Sequence, residues 1–311
     1  MADLNDRGQM ILVGGLAVAV SIVVLVVLLN SVIYTQNVAT RSGNAAEAGA
    51  FEYRAVVTES VADLLDAEND RNYTDRAALT ANVSAGIDEI DRLVSQQLAA
   101  ALVHADLAAT IHEGTRIVQD NSSRDLTDAA GAVNWTVTSN VTGVRSFVLT
   151  PSNITGDLQT ADPSNDSTRI VVAGGGAEWR LHLYQNGSGS YLAVTDETGA
   201  IETESACGGI STGEEIDLIA GTANGTACSG LDFANGTAPP WTISVTYGNH
   251  TAGTYNLTVN STDIGNLALP GSGDSPRWAP MAYSATLNLT YRTPDLLYET
   301  RVRVIPGEDD E

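Results

Sequence analysis

Lysine is absent from this 311-residue chain: all 15 basic residues are arginine, set against 38 Asp and Glu for a formal net charge of −23. A nucleic-acid face needs a basic patch that displaces counterions, and no Arg-rich run occurs, so no nucleic-acid partner is expected. Only two cysteines are present, which leaves no paired C-x-x-C framework. Also missing are an H-E-x-x-H pair, a phosphate-binding P-loop and a G-x-S-x-G elbow. The four histidines do not form a ligand set; His104 and His112, eight apart on an expected helix, are too distant to share a metal. Asp162, Asn165 and Asp166 lack the Gly and closing Glu of a calcium loop. The expectation is therefore a protein that is not an enzyme, with no cofactor and no metal.

Aromatics make up 5% of the chain, and small residues dominate. Acidity with little bulk is the composition of disordered chains, but regular apolar alternation persists here and argues for a packed domain. A carboxylate-rich, lysine-free surface instead suits a halophile, because in molar salt the Debye length is about 3 Å and self-repulsion is screened.

One long apolar run exists. Residues 10–33 read MILVGGLAVAVSIVVLVVLLNSVI, without charge. That is long enough to cross the hydrocarbon core as a helix and longer than a signal peptide's apolar region. Tyr34 follows at the expected interface. Flanking charge is nearly balanced, with Arg7 before the run and Arg41 after it. Orientation rests instead on fourteen Asn-x-Ser/Thr sequons, all on the C-terminal side of the run. The expectation is a single-pass cell-membrane protein: residues 1–9 a cytoplasmic leader, 10–33 the transmembrane helix in contact with lipid, and the remainder extracellular.

Arg7-Gly8-Gln9-Met10 directly precedes the apolar run. A short charged leader, a small residue and then a hydrophobic helix resemble the class III signal of archaeal type IV pilins. That resemblance implies cleavage between Gly8 and Gln9, with the helix retained as a filament-forming segment. Val13 departs from the glutamate of many bacterial pilins; the alternative is an uncleaved anchor. More widely, RGQMILVGGLAVAV, LLNSVIYTQNVATR and EYRAVV resemble uncharacterised haloarchaeal single-pass membrane proteins with an RGQ start. The resemblance covers about the first sixty residues. It implies location and an association with pilus-like or secretion machinery, either through a homo-oligomer or through components of such a system, and it implies no reaction.

Beyond the anchor, residues 45–68 have helical periodicity through Phe51, Arg54, Ala55, Val57, Val61, Leu64 and Leu65. A second helix is expected over about 83–119, with Ile87, Ile90, Val94, Leu98, Ala101, Leu102, Ala105 and Ala108 as its stripe, Asp88 and Glu89 in its first turn and Gly114 near its end. From about 132 the period is two: Val133, Trp135 and Val137, then Trp179 to Leu183, Trp241 to Tyr247, Tyr255 to Val259, Tyr283 to Tyr291 and Leu296 to Val304. Such runs, broken by Gly, Asn, Asp and Pro, predict antiparallel strands with one buried face; Gly174-Gly175-Gly176 reads as a turn. The expected fold is thus α+β: a transmembrane helix, a helical stem or helix pair over 34–125, a β-sandwich-like domain over 126–306 and an acidic tail over 307–311.

Cys207 and Cys228 sit in a Gly-, Thr- and Glu-rich segment, and in an exported domain two such cysteines suggest one disulfide; two free thiols are the alternative. Among the sequons, Asn134, Asn256 and Asn288 fall between inward apolar residues, so period two sends their side chains to the wet face. With Asn140, Asn153 and Asn249 they are the N-glycosylation candidates. The functional expectation is a surface structural or interaction protein of a halophilic archaeon, pilin-like in its N-terminus. The alternative is a membrane-anchored extracellular binding module for glycan or an envelope partner, with an extracellular hydrolase ranked below both.

Overall fold

Alternation at period two produces most of the architecture. In the computed structural model, described for residues 46–71, 73–156, 167–186, 189–195, 209–228 and 230–306, strands form two antiparallel sheets. They are β1 (His104–Gln119), β2 (Trp135–Val141), β3 (Val144–Ile154), β4 (Thr168–Gly174), β5 (Ala177–Asn186), β6 (Gly189–Thr195), β7 (Gly209–Ile210), β8 (Ile216–Asp217), β9 (Thr222–Ala223), β10 (Thr226–Ala227), β11 (Trp241–Thr246), β12 (Thr251–Val259), β13 (Arg277–Arg292) and β14 (Leu297–Val304). One sheet runs β10-β9-β8-β3-β12-β1-β13-β14 and the other β2-β11-β4-β5-β6-β7. Strand register places apolar residues side by side. Ile117 of β1 faces Leu257, which faces Phe147; Ile243 faces Val172, which faces Trp179. Both rows belong to one buried cluster, so the two sheets pack face to face as a sandwich. The turn at Gly175 and Gly176, with φ of +65° and +85°, closes the β4–β5 hairpin. Both residues sit in the left-handed region that a two-residue hairpin turn requires, where glycine adds no strain.

Two helices precede and accompany the sheets. The first, α1, covers 46–69, as its periodicity predicts, but its buried stripe is rotated from the expected one. Ala50, Tyr53, Val57, Val61 and Leu65 are buried, while Phe51, Arg54 and Ala55 are exposed. Tyr53 takes the inward place because it satisfies both halves of its chemistry. Its hydroxyl donates to Asp106 O at 2.9 Å, and its ring lies 5.8 Å from that of Tyr291.

The second helix, α2 (Arg76–Ala99), departs further from expectation. It starts earlier because Asp75 caps it, accepting from the backbone N–H of Ala77 and Ala78. Leu79, Val83 and Ile87 are its buried residues, and Asp88 and Glu89 lie mid-helix rather than in the first turn. It ends at Ala99; Leu102 adopts φ +62°, and the remainder of the expected helix is the strand β1. Ala105 and Ala108 therefore lie on a strand, as do His104 and His112, and Gly114 is in its interior. The helical reading of 100–119 counted Ala and Leu at three- and four-residue steps. It overlooked the β-branched residues Thr110, Ile111, Thr115, Ile117 and Val118, which pack well on a pleated surface. Pairing with β12 over Thr115 to Gln119 settles the outcome. The sandwich therefore takes a strand from the expected helical stem, and its start at 126 is corrected to 104.

The described chain divides into two compact units. One comprises residues 46–57, Leu93–Asp106 and Leu289–Thr300; the other comprises Thr58–Arg92, Leu107–Asn288 and the strand end from Arg301. Within the second unit, Gly86 lets α2 approach Leu64 of α1, since a Cβ there would stand 2.7 Å from the leucine methyls. Also there, Asn69 stands in for a missing strand: its side-chain amide donates to Ala282 O at 3.0 Å and accepts from Ala282 N at 2.8 Å. Among the described residues no helix is long and apolar enough to cross a membrane; the anchor expected over 10–33 lies outside them, as do the leader with Gly8 and Gln9 and the acidic tail.

Candidate functional site

Strand β1 carries two different faces at its C-terminal end. Ile117 enters the sandwich core, while Arg116 and Val118 point the other way and remain half-buried. Their face opens into a cleft of about 430 Å³ in the second unit, lined also by Tyr73, Asp120, the turn Gly271–Gly273, Arg277 and Trp278. Local structure fixes each wall. Tyr73, in the turn between the helices, accepts from Asn82 Nδ2 at 2.9 Å and donates to Glu68. Arg76, in the first turn of α2, reaches back to β1, donating to Gly114 O and to Thr115 Oγ1 at 2.7 Å. Its guanidinium lies 5.0 Å from the Trp278 ring centroid, a cation–π arrangement. Burial pushes the Arg76 pKa down, with Glu113 opposing.

Asp120 closes the cleft. It accepts from Ser275 Oγ and from Arg277 Nη1, each at 2.7 Å. The Ser275 hydroxyl and then the Arg277 guanidinium hold its carboxyl below the usual range. Arg116 is different: among the described residues its guanidinium has no hydrogen-bond or ion-pair partner. The arrangement thus presents one engaged ion pair, one unengaged guanidinium and two aromatic rings, which suits binding of a polar ligand.

Residues 4–172 match a family described as a family of unknown function, DUF7261. The chain belongs to the DUF7261 family. No curated protein and no solved structure matches it. The family match runs through α1, α2 and β1 into β4. It takes in Tyr73, Arg116 and Asp120 of the cleft and leaves Arg277 and Trp278 outside.

The residues singled out in the sequence are dispersed. Asn134, Asn140, Asn153, Asn249, Asn256 and Asn288 are all solvent-exposed. Asn134 also accepts from Tyr247 N at 2.8 Å, and Asn140 adopts φ +56°. Cys228 is buried and disulfide-bonded; Cys207 lies outside the described residues, as does the Asp162, Asn165 and Asp166 group. His104 lines an open hollow of the first unit. His112 Nε2 lies 2.8 Å from Thr286 Oγ1. His182 is buried between Ser167 Oγ at 2.9 Å and Thr195 Oγ1 at 3.0 Å, and burial, with Arg169 and Arg180 adding repulsion, pushes its pKa down to about 4. No cluster able to hold a metal occurs among the described residues.

The cleft residues carried no motif in the sequence. Arg116 belongs to no recognisable pattern in a helix over 83–119. Reading β1 as a strand would have set Arg116 opposite Ile117 and raised the question of what it faces.

Proposed function

We propose that this chain is a cell-surface structural or interaction protein of a halophilic archaeon, anchored by residues 10–33, with its β sandwich displayed outside the cell and a pilin-like N-terminus processed between Gly8 and Gln9. One observation carries the interaction role. Of the large hydrophobics exposed among the described residues, Phe51, Val56, Leu93, Leu102 and Leu297 belong to the small first unit. Leu102 is 84% exposed and Leu297 59%, and both line the same open hollow with Pro294 and Leu296. An apolar concentration of this kind marks a surface that meets a partner. The exposed sequon asparagines and the disulfide at Cys228 support export.

Protease treatment of intact cells tests the display: the sandwich should be lost while a short fragment bearing residues 10–33 stays in the membrane. Survival of the full chain until the cells are opened would overturn it. N-terminal sequencing tests the processing, with Gln9 expected first. Mature chains beginning at Met1 or Ala2 would leave an uncleaved anchor instead.

The cleft of Arg116 and Trp278 favours a second reading, a membrane-anchored extracellular binding module. The two readings are compatible, since one lies in the first unit and the other in the second.

A further inference from the structure

The cleft of the second unit holds a charge that the described fold leaves unmatched. Arg116, Arg277 and one carboxylate, Asp120, line it, and Asp120 is occupied by Arg277 and Ser275. Arg116 is half-buried and finds no acceptor among the described residues. In a chain of net charge −23, carboxylates are the commonest charged groups, yet none among the described residues is placed on this guanidinium. A partly desolvated cation has lost hydration and gains most from an anion brought to it.

What stands beside Arg116 narrows the ligand. The Arg76 guanidinium lies over the Trp278 ring, and Trp278 is part of the cleft lining. Tyr73 is held through its hydroxyl by Asn82 and Glu68. Two rings fixed in advance cost little ordering when a ligand lies against them. Arg offers a planar fork that matches a carboxylate with two parallel bonds. A bare inorganic anion would use the fork and ignore the rings. A neutral sugar would use the rings and leave the fork unmatched. A sugar ring bearing a carboxylate uses both, its C–H face against the aromatic surface and its carboxylate on the guanidinium, and the cleft volume lies within the range of small-molecule sites.

We infer that this cleft binds a carboxylate-bearing saccharide, with Arg116 taking the carboxylate and Trp278 the ring face. The inference rests on the binding-module reading and is independent of the anchor and of the apolar surface of the first unit.

The test uses the full chain in a polyoxyethylene ether detergent, which carries no sugar headgroup. It is titrated at constant ionic strength with trigalacturonate, with the trimer's methyl ester and with inorganic sulfate, following tryptophan emission and heat. Saturable binding of the acidic trimer is expected, with the ester about tenfold weaker or more. Arg116→Gln should weaken the acid by a similar factor and spare the ester, and Trp278→Leu should weaken both. A thermal melt accompanies each variant. If Arg116→Gln melts early, Arg116→Lys, which keeps the charge and loses the fork, carries the comparison and should fall between. Absence of saturable binding to the trimer, or equal binding of acid and ester, overturns the proposal. So does sulfate binding that matches the trimer and ignores Trp278→Leu. A glutamate-rich peptide that outcompetes the trimer overturns the saccharide class while leaving a binding module in place. Failure of every probe to bind removes the module reading as well.

Discussion

At the level of single residues, polar side chains in buried places govern stability. Asn69 is a peptide unit in side-chain form, closing two hydrogen bonds with Ala282 where no strand pairs. Asn69→Leu keeps the volume and removes both partners, leaving a buried N–H and C=O unpaired. The cost expected is about 2–4 kcal/mol, read as a lower urea midpoint at unchanged slope. His182 makes stability depend on pH. Unfolded, it takes a proton near 6.5, and folded only at about 4. Between those values the unfolded chain binds more protons, so the contribution is complete above pH 6.5 and is lost as pH falls toward 4, by up to about 3 kcal/mol. Melting temperatures from pH 7.5 to 4 should fall more steeply in the native chain than in His182→Gln. Equal slopes would show that the imidazole is not held neutral. Asp128 is held charged rather than neutral, yet its pKa is lowered too, so its contribution is likewise lost as pH falls. Burial opposes its charge, but the N–H groups of Ala132 and Ala130 and the Asn266 amide outweigh that and hold its pKa below the usual range.

Among the elements, β1 is the one on which both the fold and the cleft depend. Its Gly114 sits so close to its neighbours that a Cβ would stand 2.4 Å from Val259 O and 2.9 Å from Tyr283 Cβ. The nearest of those is backbone, which cannot rotate away. Gly114→Ala is therefore expected to cost on the order of 2–3 kcal/mol, visible in urea unfolding. It should also loosen Arg76, which donates to Gly114 O. An alanine that left stability unchanged would mean that β1 and β12 pair less closely than described. The β1 strand also shows why its segment was misread. Alanines at helical spacing are common in any small-residue chain, and the choice between helix and strand fell to pairing with β12, about 140 residues later. The rotation of the α1 stripe has a related cause. Periodicity identifies the helix, but Tyr53 rather than Phe51 turns inward because its hydroxyl has an acceptor on Asp106.

Across the whole molecule, exposed sequons and exposed apolar side chains are segregated. Asn134, Asn140, Asn153, Asn249, Asn256 and Asn288 all lie in the second unit, while most of the exposed large hydrophobics lie in the first. Intact mass of the chain from its native host should show glycan on some of these asparagines, and Asn→Gln exchanges at those sites should remove it one step at a time. Leu102→Asp with Leu297→Asp should leave the melting temperature nearly unchanged, because both side chains are already in water, and should reduce assembly in cross-linking and sedimentation. Unaltered assembly would remove the Leu102–Leu297 hollow from the interaction surface.

Sequence alone determined the class of the fold and the exposure of the sequon asparagines. Period two in runs such as Trp241 to Val245 and Tyr255 to Val259 is a local property of the pleated strand, so it can be read without knowing any partner. The same alternation sent Asn134, Asn256 and Asn288 to solvent. Only the tertiary structure decided which strands neighbour which, that 104–119 is a strand, and that a cleft exists at all. Tyr73, Arg116 and Trp278 are far apart in sequence and carry no motif. They meet because a helix turn, the outer face of β1 and the start of β13 converge, and the unmatched charge on Arg116 appears only once Asp120 has been assigned to Arg277 and Ser275.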